Sequence, residues 1–528
     1  MSDWNYARTW STIAAAAPER EAVVCGTTRR TFSELDVRAH RLARVLADAG
    51  VGPGDAVAIS LTNRPEYLEA FFAALLLGAA PANLNYQYGS DELAYVLADC
   101  GAAAVVCHAD TRPRVEAALA SLGDARAILA VDDDYEDALA AASGPLPAHR
   151  PAGDDRLLLY TGGTTGRPKG VVWRVDDYYL QGWEAARPGT TPPDPREAIQ
   201  AGRRAATLLP ASPLVHATAL GLATSTLNGG GTVVLRDAAG LDASALWHDV
   251  GRERVEVLGI VGETFARPLL HALDTDAAVR ALDLTSLRAI VSSGMAFSIA
   301  SKQALLAHFP RLRIVDTLGA SEALITRSET TTDGAAPPAR TFAAKDNVRV
   351  LTDDDRDVVP GSGEEGVLAV AGRLPLGYLN DPEATARMFR EVDGVRYATP
   401  GDRALVHDNG RIELLGRGSA CINTGGEKVY PEEVEQVLRA HPAVRDAAVV
   451  GVPDDRWGEM VTAVLEVTDA SAGLDDTLES DVRAHVRAHL AGYKVPKRCF
   501  AVDTIARTVA GKPDYRRLRT IAIELASP

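Results

Sequence analysis

Residues Tyr160 to Gly170 read YTGGTTGRPKG, and the fold is decided by what flanks them. Leu157, Leu158, Leu159 and Tyr160 make a short apolar run that reads as a buried strand, and Val171, Val172 and Trp173 resume the apolar pattern. Between these runs lie glycines, threonines, a proline and a lysine. Such a loop suits phosphate. Glycine lets successive N–H groups turn toward one anion, and hydroxyls add donors. Lys169 supplies a point charge for phosphoryl oxygens. The spacing departs from GxxxxGK[ST], because Arg167, Pro168 and Lys169 follow Gly166. A flexible surface turn is the plainer alternative.

The chain has 528 residues, room for several domains, and 46% are hydrophobic, enough for large cores. The net charge of −16, with no basic stripe, argues against nucleic acid as a partner and against a standing hold on anionic membranes. Cys25, Cys100, Cys107, Cys421 and Cys499 are scattered and odd in number, which argues against a disulfide framework or zinc site and predicts a reducing, cytoplasmic setting. The start, MSDWNYARTW, lacks the basic and apolar runs of a signal peptide. Ala70 to Ala82 is too short to span a bilayer and reads as a buried helix.

Residues 1 to about 150 alternate strands (Ala22–Cys25, Ala56–Leu61, Ala103–Cys107) with helices (from Thr31, Glu66–Gly78, Arg112–Ala120). Thr31 three residues before Glu34 reads as a helix cap. Alternation of this kind predicts an α/β fold with parallel sheets. Beyond the loop, Pro188 to Pro195 reads as an exposed connection. His216 sits in an apolar neighbourhood in LLPASPLVHATAL and by itself reads as a core histidine. VLGIVGETFARPLL reads as a strand followed by a helix start, its Gly262, Glu263 and Thr264 either ordinary packing or, by resemblance to a known family, candidates for an acyl-pocket wall. LRAIVSSGM and RIVDTLGASE are strands ending in turns, at Gly294 and at Leu318, Gly319, Ala320, Ser321 and Glu322. Ligands of α/β sheets bind beyond the carboxyl ends of strands, so both turns sit where a nucleotide belongs. Asp333 to Arg340 reads as a linker, Val348 to Val370 as a small β-rich unit, and Gly377-Tyr378 before DPEATARMF as a turn before a helix. Asp402 in YATPGD offers two acceptors for vicinal hydroxyls, or is an aspartate in a solvated turn. In CINTGGEKVYPEEVE, Gly425 and Gly426 permit close backbone approach and Pro431 starts a helix. Lys512 in RTVAGKPDY reads by itself as solvated charge.

Taken in order, these stretches resemble the adenylate-forming superfamily: acyl-CoA synthetases, peptide-synthetase adenylation domains and luciferases. The resemblance spans about residues 10 to 518, and TGGTTG, GASE, LGRGS and AGKPDY look most like ligases acting on fatty acids and steroid side chains. It implies a large N-terminal domain, 1–417, of two doubly wound subdomains plus a small β-rich one, and a small, mobile α+β domain, 418–528. The implied chemistry is attack of a carboxylate on ATP, releasing pyrophosphate, then transfer of the acyl group to CoA. No protein nucleophile is needed.

By the same resemblance Thr161, Gly162, Gly163, Thr164, Thr165, Gly166 and Lys169 hold phosphates, and Thr161 and Glu322 hold Mg2+. Gly294, Leu318, Gly319 and Ser321 line the nucleotide pocket; Leu318 stands where the family usually has tyrosine, so an aromatic face for adenine is missing there. Asp402 and Arg417 bind ribose, Ser419 is the hinge, His216 borders the acyl pocket, and Gly425, Gly426 and Lys428 line the pantetheine path. Lys512 bridges the carboxylate and α-phosphate. Rival expectations on the same scaffold are transfer to an amine or carrier protein, activation of nitrite for N–N bond formation, a luciferase-like oxygenase, and a silent nucleotide-binding scaffold. The acid and the oligomeric state are not legible.

Overall fold

The structure, a computed structural model, describes residues 3–161, 167–187, 189–238, 240–294, 297–332, 341–417, 421–468, 474–505 and 514–526. The side chains of Ala186, Thr326, Arg417, Glu432 and Arg516 also fall outside the description. So do Gly162 to Gly166, the linker read at Asp333 to Arg340, Ser419 and Lys512. The chain divides into two compact units: Met1–Tyr86, Leu97–Tyr160 and Gly170–Leu415 in one, Gln87–Val96, Thr161–Lys169 and Gly416–Pro528 in the other.

In the first unit the helix Phe32–Asp48 begins as its sequence dictates. Thr31 Oγ1 accepts the Glu34 N–H at 3.1 Å, and the Glu34 carboxylate accepts the Thr31 N–H at 2.8 Å. Phe32, Leu35, Ala39, Leu42, Ala43 and Leu46 form its buried stripe. The helix Pro65–Leu76 is buried on every face, as a helix packed between two layers must be. The apolar run from Ala70 does not continue as one helix to Ala82. The helix stops at Leu76, Gly78 takes φ +70°, and the chain resumes as the strand Ala80–Asn83. A side chain at Gly78 would face a left-handed backbone, and its Cβ would stand 2.5 Å from the His149 ring.

Two sheets dominate this unit. One runs, in spatial order, Gly377–Tyr378, Lys169–Arg174, Arg156–Thr161, Ala80–Asn83, Ala56–Ser60, Ala102–His108 and Ala127–Val131. The other runs Ala323–Thr330, Arg313–Ala320, Ala289–Ser293, Val257–Ile260, Leu208–Pro210, Val233–Leu235, Glu21–Cys25 and Thr28–Thr31. Its interior pairs are parallel, and its two edge strands are antiparallel. The first strand of the chain, Glu21–Cys25, therefore joins the second sheet, beside Val233–Leu235, and not the sheet built by the rest of the first 150 residues. Local periodicity identifies a strand but not its distant partner. Val57, Ile59, Leu157 and Leu159 of one sheet, Val23, Leu208 and Val233 of the other, and Trp10, Phe71 and Phe72 from helices share one core. A third, mostly antiparallel sheet over Thr341–Ala343 to Arg411–Arg417 is the expected β-rich subdomain. Gly377-Tyr378, read as a turn, is a short strand paired with Val172 and Val171.

The second unit holds Glu427–Val429, Ile422–Thr424, Gly458–Val467 and Val444–Asp454 in an antiparallel sheet, with Arg498–Ala501 added in parallel. The helices Pro431–Arg439 and Asp476–His489 contribute Val434, Leu438, Val482 and Val486 to its core. Lys494 is 1% exposed. Its ammonium donates to Glu92 Oε1 at 2.7 Å and Glu433 Oε2 at 2.8 Å and lies 5.2 Å from the Tyr88 ring centre. Burial works against this charge, but Glu433, Tyr88 and Glu92 hold its pKa above the ordinary lysine value. Lys494→Met would leave two buried carboxylates without their cation. It is expected to cost about 3–5 kcal/mol, read as a lower urea midpoint; a wild-type midpoint would contradict the pairing.

Candidate active site

The strands Arg313–Ala320, Ala289–Ser293, Val257–Ile260 and Leu208–Pro210 are consecutive neighbours in the second sheet and run parallel. Their carboxyl ends lead into the hairpin at Ser321-Glu322, into Gly294, into Gly262-Glu263-Thr264 and into the loop Ala211 to His216. Sheet order thus brings four of the expected stretches side by side on one edge.

The loop before His216 is held by buried amides. Asn63 Nδ2 donates to the carbonyls of Pro210 (3.2 Å) and Ser212 (3.0 Å), and its Oδ1 accepts the Leu214 N–H at 2.7 Å. Asn83 Oδ1 accepts the Tyr160 N–H at 2.6 Å, and its Nδ2 donates to the Val215 carbonyl. His216 is the cap residue of the helix Ala217–Asn228, and its side chain makes no cap hydrogen bond. Composition gave no sign of either asparagine. For Asn83 the signal lay in an amide at the end of an apolar strand, where an unpaired polar group is not tolerated; Asn63, between Thr62 and Arg64, carries none.

At the next stretch Ala320 pairs with Ala323, so Ser321 and Glu322 form the two-residue tip of a hairpin, with a register shift between Leu318 and Gly319. Glu322 is 8% exposed. The Tyr378 hydroxyl donates to Glu322 Oε1 at 2.6 Å, and the Trp173 indole donates to the Ser321 carbonyl at 3.0 Å. Leu318 packs against the core of the β-rich subdomain. Gly294 ends the strand Ala289–Ser293, and Asp402 opens the strand Asp402–Val406 after Gly401. Tyr378 was missed as a partner of Glu322, because the two are 56 positions apart and belong to different sheets, Tyr378 pairing with Val171.

The ends of the glycine-threonine run are defined within their units. Tyr160 closes on Gly170, where a Cβ would come within 2.8 Å of the tyrosine ring, and the Tyr160 hydroxyl donates to Asp99 at 2.6 Å. Thr161 ends the strand Arg156–Thr161 and Lys169 begins Lys169–Arg174. Gly425 and Gly426, at φ +60° and +91°, make the tight turn between Ile422–Thr424 and Glu427–Val429. Lys428 pairs with Asn423 in that hairpin, and Arg417 ends the strand Arg411–Arg417. Gly162, Gly163, Thr164, Thr165, Gly166 and Lys512 lie outside the described residues.

Among the described residues no group of three or more His, Cys, Asp or Glu could hold a metal ion. A single buried carboxylate, with one oxygen engaged by Tyr378, suits a hard cation that brings phosphate oxygens with it. It does not suit an all-protein cage.

A family model described as AMP-binding enzyme matches residues 10–379, and one described as AMP-binding enzyme C-terminal domain matches residues 433–512. The medium/long-chain-fatty-acid–CoA/3-oxocholest-4-en-26-oate–CoA ligase of Mycobacterium tuberculosis is 38% identical over 518 residues, covering 95% of this chain and 93% of that protein. The amide bond synthetase McbA from Marinactinospora thermotolerans superposes with a TM-score of 0.79 at 27% identity, covering 98% of this chain and 99% of that one. A malonyl-CoA ligase with methylmalonyl-CoA and AMP bound gives a TM-score of 0.73 at 28% identity, covering 94% and 100%.

The amide of Asn63 satisfies two carbonyls and one N–H. Asn63→Ala is expected to lower stability by about 2–4 kcal/mol and to loosen the loop before His216. Urea denaturation measures the first, and hydrogen exchange of residues 211–216 the second. Native protection in that loop would show that the amide is dispensable.

Proposed function

The chain belongs to the AMP-binding enzyme family, and we propose that it is an ATP-dependent acid–CoA ligase, AMP-forming, acting on fatty or steroid-side-chain acids. The observation that carries this reading is the 38% identity, over 95% of the chain, to a ligase named for those acids. ATP, Mg2+ and CoA are the partners such a ligase uses.

In the first half-reaction the carboxylate attacks the α-phosphate, forms the acyl-phosphate bond and expels pyrophosphate. The protein's task there is alignment and charge. Lys169 and the backbone N–H groups from Gly162 to Gly166 bind the outer phosphates. Lys512 draws the carboxylate and α-phosphate together. Glu322 and Thr161 would hold Mg2+, which supplies charge neutralisation on the phosphates. Tyr378 fixes the Glu322 carboxylate by the 2.6 Å hydrogen bond. Asp402 and Arg417 hold the ribose hydroxyls, Gly294, Leu318, Gly319 and Ser321 border the nucleotide, and His216 borders the acid. In the second half-reaction the CoA thiol attacks the mixed anhydride, the thioester forms and AMP leaves. Gly425, Gly426 and Lys428 line the path of the pantetheine arm. The domain from residue 418 turns about Ser419 between the two steps.

The cysteines are free, and among the described residues no helix is long and apolar enough to cross a membrane. The free thiols support placement in the reducing cytoplasm. CoA-dependent AMP release with a fatty or steroidal acid is the expected assay result. Pyrophosphate release driven by nitrite, or amide formation without CoA, would replace this reading with one of its rivals.

Lys512→Ala is expected to slow adenylation by at least about 100-fold while largely sparing thiolation of a supplied acyl-adenylate. Pyrophosphate exchange and single-turnover thioester formation measure the two steps, and equal losses would refute the division of labour.

A further inference from the structure

Lys494 closes the short helical turn Gly492–Lys494, which packs on the strand Glu427–Val429, next to the Gly425-Gly426 turn. Its two carboxylate partners stand in matching positions. Glu433 Oε1 accepts the Tyr430 N–H at 3.3 Å at the start of the helix Pro431–Arg439, and Oε2 meets the ammonium. Glu92 Oε2 accepts the Gly89 N–H at 3.1 Å at the start of the helix Ser90–Cys100, and Oε1 meets the ammonium. Each glutamate serves its own helix with one oxygen and the lysine with the other. The first turn of a helix favours a carboxylate in any case.

The two partners differ in where they come from. Glu433 and Lys494 both belong to 418–528. Glu92 stands 402 positions before Lys494, in Gln87–Val96, which belongs to the same compact unit. Tyr88 of that segment is also buried and turns its ring to the ammonium.

Stability alone does not explain an ionic contact here, because well-packed apolar side chains of similar volume fasten two segments at least as firmly. Apolar surfaces resist parting, since parting returns them to water. Charged groups recover hydration when they part. Parting at Glu92 also strands no group: Lys494 keeps Glu433, and Glu92 keeps the Gly89 N–H.

We propose that Glu92 and Lys494 form a releasable latch, fastening residues 87–96 to the domain 418–528 for thiolation and opening for adenylation. Glu92 is then a positioning residue for the second half-reaction. The proposal rests on the ligase reading, in which that domain turns between the steps and Gly425, Gly426 and Lys428 line the pantetheine path. The strand carrying Lys428 packs on the helical turn that carries Lys494, so the latch holds the thiol-receiving hairpin.

Hydrogen exchange of residues 87–96 is the first test. In the unaltered enzyme these amides are expected to exchange more slowly with AMP and CoA than with a non-hydrolysable ATP analogue and Mg2+. In Glu92→Gln the difference should vanish. Rapid quench is the second. Glu92→Gln is expected to slow thioester formation from supplied lauroyl-adenylate at least about tenfold, while lauric acid-dependent pyrophosphate release stays within about twofold. Thermal melting checks that the variant is folded; should it not fold, the exchange comparison on the unaltered enzyme decides alone. Equal exchange in the two ligand states overturns the proposal. So does a folded variant whose thiolation is unslowed, or slowed no more than its adenylation. Failure of any carboxylic acid to elicit pyrophosphate release from the unaltered enzyme overturns the ligase reading, and the proposal with it. Acid-dependent release with equal exchange in the two states overturns the proposal alone.

Discussion

Two buried side-chain amides, those of Asn63 and Asn83, set the constraint on which the carboxyl edge of the sheets depends. The loop before His216 runs through the interior, with Leu214 and Val215 at 0% and 4% exposure. Water cannot reach its backbone there, and each unsatisfied group would cost about 1–3 kcal/mol. Asn63 pairs with three of those groups, and Asn83 spans from Val215 to Tyr160, the residue that opens the glycine-threonine run. The same bonds that make the loop tolerable also fix where His216 emerges.

Charge obeys the same rule more strictly. Glu69, fully buried in the first unit, is met by Arg38 at 2.6 Å and by the Tyr135 hydroxyl at 2.7 Å. Lys494 enters the second unit only between two carboxylates. Glu322 differs. Its described partner is a neutral hydroxyl, which orients a carboxylate without cancelling its charge. A buried anion so held remains able to attract a cation. That contrast supports, independently of sequence motif, the binding role proposed for Glu322.

Much of this was legible in the sequence. Thr31 and Glu34 announced a cap through their spacing, and DTLGASE announced a strand and tight turn through a small-residue break in an apolar run. Gly170 was legible as a motif glycine, though only the Tyr160 ring shows why a side chain cannot stand there. What escaped was non-local. The apolar run Ala70 to Ala82 hid the strand starting at Ala80, because helix and strand are both buried throughout. Glu21–Cys25 gave no hint that its partner lay some 200 positions on, at Val233–Leu235. Asn63, Tyr378 and Lys494 have no local signature, since their partners are brought to them by pairing and packing. Glu263 stood open between pocket wall and packing; its bonds to Ser298 and Ser301 come from the start of the helix Ile299–His308, more than 30 positions on, and have no local signature.

Sheet geometry also bounds the size of what this edge can serve. Neighbouring strands lie about 4.8 Å apart, so the three intervals from Leu208–Pro210 to Arg313–Ala320 cover about 14 Å. The His216 loop stands at one end and the Ser321-Glu322 hairpin at the other. Between these two ends the acid and the nucleotide of the proposed ligase would meet. A reaction joining the two needs no nucleophile from the protein; it needs the two ends held at fixed separation while charge moves between them. Parallel strands fix separation better than any loop could, because their spacing is set by backbone hydrogen bonds. The turns that follow these strands are then left to set which acid and which nucleotide the proposed ligase accepts.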